Sequence, residues 1–369
     1  KSYKLSFIIF LLTFFSCKNQ DSSDNPNIKV VKSDDAILFS QYFGEINHII
    51  LDESQPIGTV ERIIATDSFI VLSAFDLLTS LHVYDSKGNL IASKDDIGEG
   101  PDGLGEINDF AVWNDEIYVL QSYSRKISKF DFKLNMIDEM RLKFPASSFH
   151  INSEGIFLYH LEKNPQFPFR LSYLDHPGVT EQIGLIPFDE RLTAAPMRGN
   201  FFIDLDSDSF LHYHPASDSI YWFEGKSHSA FRLDFGDQFF DVGQLGGLHP
   251  LEQLKLYNEF EGFNNLNNGV RLSQNEALFN IIHKNKQEYL LVDLMKKEAR
   301  LVLSLKNDLA ALPSKVSFNG NNSYSSWYWQ QVEDIRKFYQ LNSSKIADKQ
   351  KIELPEDREG KVVFKAEYK

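Results

Sequence analysis

Cysteine is nearly absent from this sequence: Cys17 is the only one in 369 residues, so no disulfide can form within the chain. Basic residues are scarce relative to acidic ones, with 38 Lys and Arg against 52 Asp and Glu and a formal net charge of −14. A nucleic-acid backbone or an anionic membrane surface is repelled by such a balance, so no nucleic-acid partner is expected. No apolar run is long enough to span a bilayer as a helix, and the longest, from Leu5 to Phe15, is too short. A G-x-S-x-G elbow is missing, and the lone cysteine closes the N-terminal apolar run, which removes the usual signatures of nucleophilic hydrolysis. No motif implies a cofactor or a metal.

What stands at the N-terminus is a leader. Lys1 and Lys4 precede the apolar run, and Ser16 and Cys17 follow it, as in the charged, apolar and small-residue parts of a secretory signal. The tetrapeptide "FFSC" resembles a bacterial lipobox, which implies lipidation of Cys17 after cleavage and an anchor in the bacterial cell envelope. The expected organisation is a signal over residues 1–16, a lipidated cysteine and flexible polar tether over 17–40, and one β-propeller over 41–369.

Aromatic residues are plentiful, at 14% of the chain with 31 Phe, and suit half-buried pleated surfaces better than helix interiors. Beyond the tether the pattern repeats. Five times an apolar stretch, a polar turn and a second apolar stretch follow one another: "RIIATDSFIVL", "FAVWNDEIYVL", "FHINSEGIFLY", "FIDLDSDSFLHY" and "VRLSQNEALFNII". Each is followed by a second hairpin-like pair, as in "LHVYDSKGNLIAS" and "ISKFDFKLNMIDEM". The first steps, from Ile70 to Ile117 and on to Ile156, fit the roughly 40–50 residues of a four-stranded propeller blade.

Five units leave "INHIIL" before them and "KVSFNG" and "KVVFKAEYK" after them, so a sixth blade shared by N- and C-terminal strands is expected to close the ring. The fold expected is therefore all-β, a six-bladed β-propeller with four-stranded blades. Two short helical insertions interrupt it. "HPLEQLKLYNEFEG" places Leu251, Leu254, Tyr257 and Phe260 on one face after Pro250, and "SSWYWQQVEDIRKFYQLN" does so with Tyr328, Val332, Ile335 and Tyr339.

The stretches "INHIILDESQPIGTVERIIATDSFIVLS", "INDFAVWNDEIYVL" and "ISKFDFKLN" resemble the six-bladed β-propeller lipoproteins of polysaccharide-degrading Gram-negative bacteria, relatives of NHL and TolB-like propellers. Where that family has a compact "GRGPGEY" loop, this sequence has "GEGPDGLGEI", with Glu99 in place of the Arg and extra residues before Gly105 and Glu106. The resemblance implies a fold rather than an activity.

The glycines of that loop do not form a phosphate cradle, because a strand-like "EINDFAVW" follows instead of a helix and no Lys or Arg lies between Lys94 and Arg125. Asp204, Asp206 and Asp208 have the opening spacing of a calcium loop, but Ser209 replaces the required Gly and Pro215 stands at the twelfth position, so a polar hairpin turn is expected. His212 and His214 share one strand face without an identifiable third ligand.

Two classes of function remain: a binding or protein-interaction module for a glycan, peptide or protein, and a propeller lyase or metal-dependent hydrolase with its site at the channel mouth. The module reading is favoured by the missing catalytic motifs, and a monomer is expected. Its ligand-binding residues are expected on loops converging at one mouth: Glu106 and Asp109, Arg198 and Asn200 in "MRGNFF", and Asn264, Asn265 and Asn267 in "GFNNLNNG", with Phe201 or Phe263 as stacking surfaces. The structural alternative is that the asparagines make turns and Arg198 pairs with a neighbouring acid.

Overall fold

Short strands ending in Asp-based turns build this molecule from four-stranded antiparallel units. The computed structural model describes residues 26–75, 78–95, 104–175, 181–189, 201–206, 208–283, 286–310, 312, 318–321, 325–342, 346, 351–354 and 360–369. Cys17, Arg198 and Asn200 lie outside the described residues.

The described chain begins with β1 (Asn27–Leu38), a four-residue helix α1 (Phe39–Tyr42) and β2 (Phe43–Ile50). The first unit is β3 (Thr59–Ala65), β4 (Phe69–Phe75), β5 (Thr79–Asp85) and β6 (Leu90–Asp95). The second is β7 (Asp109–Trp113), β8 (Glu116–Gln121), β9 (Lys126–Phe130) and β10 (Met136–Arg141). The third is β11 (Ser148–Asn152), β12 (Gly155–Tyr159), β13 (Phe169–Leu174) and β14 (Ile183–Pro187). The fourth is β15 (Phe202–Asp204), β16 (Ser209–Tyr213), β17 (Ser219–Glu224) and β18 (Ser227–Asp234), followed by α2 (Pro250–Glu259). The fifth is β19 (Phe263–Arg271), β20 (Glu276–His283), β21 (Lys286–Asp293) and β22 (Glu298–Lys306). The chain ends in β23 (Phe318–Asn321), β24 (Ser325–Gln331), α3 (Val332–Leu341) and β25 (Lys361–Tyr368).

Four sheets are separate and four-stranded, and one of them has the order β2-β25-β24-β23, so N- and C-terminal strands complete it together. The remaining sheet has nine strands because β1 joins the fourth and fifth units, running parallel to β18 at one end and to β22 along the rest. This is a propeller-type arrangement. The second strands of the units, such as β8, β12 and β16, are buried over nearly their whole length, as strands covered on both faces must be.

Local chemistry sets the hairpins. In "DSKGN" and "DFKLN" the leading carboxylate folds the turn onto itself: Asp85 accepts from the Lys87 and Asn89 amides at 2.8 and 2.9 Å, and Asp131 from those of Lys133 and Asn135 at 2.9 and 2.8 Å. The side chains of Asn89 and Asn135 donate to the same carboxylates and, with the amides, hold both acids below the usual range. On the outer strands Ile91 and Ile137 are unmatched at β-bulges, where Tyr84 pairs with Leu90 and Val83 with Ala92, and Phe130 with Met136 and Lys129 with Asp138. A bulge twists an edge away from further pairing.

Three expectations are corrected here. Asn27–Leu38 is not part of a flexible tether: Ile28 and Ile37 are buried, 0% and 4% exposed, and anchor β1 to the rim. Burying each contributes roughly 1.5–3 kcal/mol, which the polar composition of the segment conceals. Tyr328 lies in β24 rather than in the helix, since its strand alternation and the helical stripe coincide until Gln331; Val332 and Ile335 are buried on α3 as expected. In α2 the N-terminal Pro250 is confirmed, but Leu251 is 71% exposed, and Leu256 and Phe260 instead pack on Phe240, Val242 and Leu245.

Candidate polar site at the ring centre

The innermost strands β3, β7, β11, β15, β19 and β23 stand side by side, and polar side chains link several of them. Arg62 of β3 forms an ion pair with Asp109 of β7 and donates to the Phe110 carbonyl at 2.6 Å. The other oxygen of Asp109 accepts from the Ser148 hydroxyl at 2.7 Å and the Phe149 amide at 2.9 Å, so it also holds β11. From β11, His150 Nδ1 lies 3.1 Å from the Asp204 carboxylate of β15. Arg271 of β19 donates to the Leu205 carbonyl just beyond β15 and to the Ser273 carbonyl at 3.0 Å. β23 neighbours both β19 and β3 and completes the circuit.

The Asp204 side chain is 40% exposed. Burial pushes its carboxyl pKa up, but the hydrogen bond and charge of His150 and the charges of Arg62 and Arg271 outweigh this and leave it below the usual range. Arg62 belongs to the first unit and Asp204 to the fourth, so groups from units not consecutive in the chain lie within electrostatic reach. Asp109 is the first residue of its strand, whereas Asp204 and Arg271 are the last of theirs, so the polar groups are spread along the innermost strands.

Of the residues expected from sequence, Asp109 belongs to this wall, but as a buried link. Glu106 lies on the face where the loops between units emerge and accepts from the Tyr123 amide at 2.8 Å. Asn264, Asn265 and Asn267 are not in a loop: they belong to β19, because Phe263, Leu266 and Val270 are buried and fix the segment in the sheet around a bulge. Phe201 and Phe263 are core residues, 3% and 1% exposed, so neither offers a stacking surface. Among the described residues the most exposed aromatic is Tyr123, at 92%, in the turn after β8 on the loop face. Its signal in the sequence is a tyrosine within the polar turn "QSYSRK".

Gly105 takes φ 64° and leads into β7, consistent with a crossover rather than a phosphate cradle. Asp206 accepts from the Asp208 and Ser209 amides at 3.0 and 2.8 Å and makes the polar hairpin. His212 donates from Nδ1 to the Phe201 carbonyl at 3.1 Å, and His214 Nδ1 accepts from the Ala216 amide at 3.1 Å. Burial lowers both, His212 to about 3. Among the described residues no three His, Cys, Asp or Glu side chains gather as metal ligands, and no helix is long and apolar enough to cross a membrane.

No protein of curated function matches the chain in sequence. Among solved structures, it is similar to a protein of Bacteroides fragilis NCTC 9343 described as a candidate exported protein, with TM-score 0.68 and 13% identity over 93% of this chain and 99% of that one. It is also similar to a DUF4221 family member of Bacteroides vulgatus, with TM-score 0.51 and 13% identity over 89% and 97% of the two chains. A catalytically inactive virginiamycin B lyase of Staphylococcus aureus, solved with quinupristin, reaches TM-score 0.46 at 12% identity over 77% and 82%, too slight a likeness to bear on this chain's chemistry. Residues 25–359 match one family model, and the chain accordingly belongs to the family described as Domain of unknown function (DUF4934).

Proposed function

We propose that this chain is an exported binding or protein-interaction module, a monomer built as a six-bladed propeller akin to NHL and TolB-like propellers and held at the cell envelope by a lipid on Cys17. The observation that carries the module reading is the loop face. Loops between units and turns after second strands emerge there together on the ring, with the Tyr123 side chain exposed and its amide donating to Glu106. An amphipathic ring with a polar neighbour is the usual anchor for a glycan or peptide. The fold likeness to an exported Bacteroides protein supports the export, and the leader ending in Cys17 supports the anchor.

Two measurements test this. A glycan and peptide array probed with residues 18–369 is expected to give a ligand whose affinity falls at least tenfold in Tyr123→Ala without a change in melting temperature; an array with no hit, or a hit indifferent to Tyr123, rejects the loop face. Cys17→Ala is expected to move the full chain from the membrane fraction to the soluble one. A mutant still sedimenting with membranes, and a parent without an acyl adduct by mass, reject the anchor.

A further inference from the structure

We propose that the loop face at the second unit binds an acidic polysaccharide, a chain of carboxylate-bearing sugars, through the Tyr123 ring and the cations around it, Arg125, Arg141 and Lys143. The inference rests on the reading of the chain as a binding module and gives its loop face a ligand class.

Two chain segments build the surface. The turn after β8 closes on itself, with the Arg125 amide donating to the Ser122 carbonyl at 3.1 Å. The segment leaving β10 is tied to that turn, because the Leu142 amide donates to the Arg125 carbonyl at 2.7 Å and the Ser122 hydroxyl to the Ala146 carbonyl. Arg141 pairs with Lys126, the residue after Arg125, at the end of the same sheet. Tyr123, Arg125, Arg141 and Lys143 are therefore held side by side, and all four are exposed, Arg141 over 84% of its side chain.

The charge of this surface runs against that of the chain. Among the described residues neither Arg125 nor Lys143 has an acidic partner, and Lys143 Nζ lies over its neighbour Phe144, 5.4 Å from the ring centroid. Of the acids that touch these segments, Glu139 is taken by Lys126 at 3.0 Å, with Arg141 at 3.9 Å, and Glu106 accepts from the Tyr123 amide. Cations outnumber acids here, in a chain of net charge −14. Salt confines the influence of the distant acids: with a Debye length of about 10 Å at 0.1 M, an arriving ligand meets the nearby cations rather than the net charge.

Chemistry selects the ligand. A guanidinium is a planar fork that receives a carboxylate through two N–H donors, and Arg125 and Arg141 supply two such forks. Tyr123 is the only large hydrophobic exposed on these two segments, which is too little for the apolar core of a protein interface. An acidic sugar chain asks for less. Its carboxylates recur along the chain, and one ring with an apolar face and a polar tip suits a sugar ring with its hydroxyls.

The test is titration calorimetry on residues 18–369 with tetragalacturonate and tetramannuronate as acidic glycans, maltotetraose as the neutral one and hexaglutamate as an acidic peptide, at about 0.1 M salt. At least one uronate is expected to bind and to lose affinity at least tenfold in Arg125→Gln/Arg141→Gln and in Tyr123→Ala. Lys87→Gln, which removes an exposed charge from the turn after β5, is expected to leave it unchanged. On the unsubstituted protein that uronate is expected to shield Lys143 from acetic anhydride, read by peptide mass spectrometry, which checks the contact even where a variant fails to fold. No binding of either uronate, equal or tighter binding of maltotetraose or hexaglutamate, an equal loss in Lys87→Gln, or an unshielded Lys143 overturns the proposal. An array ligand that depends on Tyr123 but not on Arg125 and Arg141 leaves the module reading intact and rejects the acidic ligand, whereas an array without a hit rejects the loop face itself.

Discussion

His150 Nδ1 and the Asp204 carboxylate stand 3.1 Å apart on neighbouring innermost strands, and the acid is held below its usual pKa by this contact and by two arginines. A carboxyl depressed by folding contributes stability that is complete above its unfolded value of about 3.9 and is lost as pH falls through the lower folded value. The melting temperature of the parent should therefore drop between about pH 4 and pH 2 more steeply than that of Asp204→Asn. Parallel curves for the two proteins in thermal melts would exclude an ionised Asp204 in the native state.

Buried histidines give a second acid limb at higher pH. His82 and His160 are lowered to about 4 and His212 to about 3, in each case chiefly by burial. His160 shows why the neutral ring is fixed: Nδ1–H donates to the Pro145 carbonyl at 2.6 Å, and Nε2 accepts from the Ser172 hydroxyl at 2.7 Å. The unfolded chain takes up these protons near pH 6.5 and the folded one only near 3–4, so stability is complete above 6.5 and falls as pH drops below it. The expected slope is about 1.4 kcal/mol per pH unit for each such histidine. Urea titrations at pH 7, 5.5 and 4.5 should show a smaller loss in His212→Gln than in the parent.

Gly155 sits at φ 146° in the hairpin between β11 and β12, and a Cβ there would lie 2.2 Å from the Leu174 carbonyl oxygen. Gly155→Ala must push the second and third strands of the unit apart and is expected to cost about 2–4 kcal/mol. Gly44→Ala, where nothing lies within 4 Å, is the matched control. Equal denaturation midpoints for both variants would count against this packing.

The rim should be equally sensitive. Ile28→Ala in β1 is expected to destabilise by about 2–4 kcal/mol, because the side chain is fully buried between units. Ending the chain at Gly360 removes β25, which pairs with β2 on one side and β24 on the other, so both neighbours lose their ladder. The truncated protein should lack the parent's cooperative melting transition. Calorimetry that finds the parent transition intact would make the closing sheet dispensable.

Much of the architecture is written locally. The Asp-led turns at Asp85 and Asp131 bond to residues two and four positions on, so their hairpins are legible in a few letters of sequence. Repetition of those hairpins, with aromatic stretches between them, identifies the four-stranded unit, and the leftover strands at both ends identify the closing sheet. The same local reading fails where two periods overlap, as at Tyr328, and where few apolar residues suffice because both partners are distant, as in β1.

The central site has no local signature at all. Arg62, Asp109, His150, Asp204 and Arg271 each occupy an innermost strand of a different unit, and nothing near any of them in sequence marks it as polar wall rather than surface charge. The sequence by itself determined the hairpin and the four-stranded unit, since those depend on hydrogen bonds and apolar alternation among near neighbours. Only the tertiary structure decided which charges meet: it brings strands of the first, fourth and fifth units near one another, and Coulomb interactions then act between Arg62, Asp204 and Arg271, which chain connectivity leaves far apart.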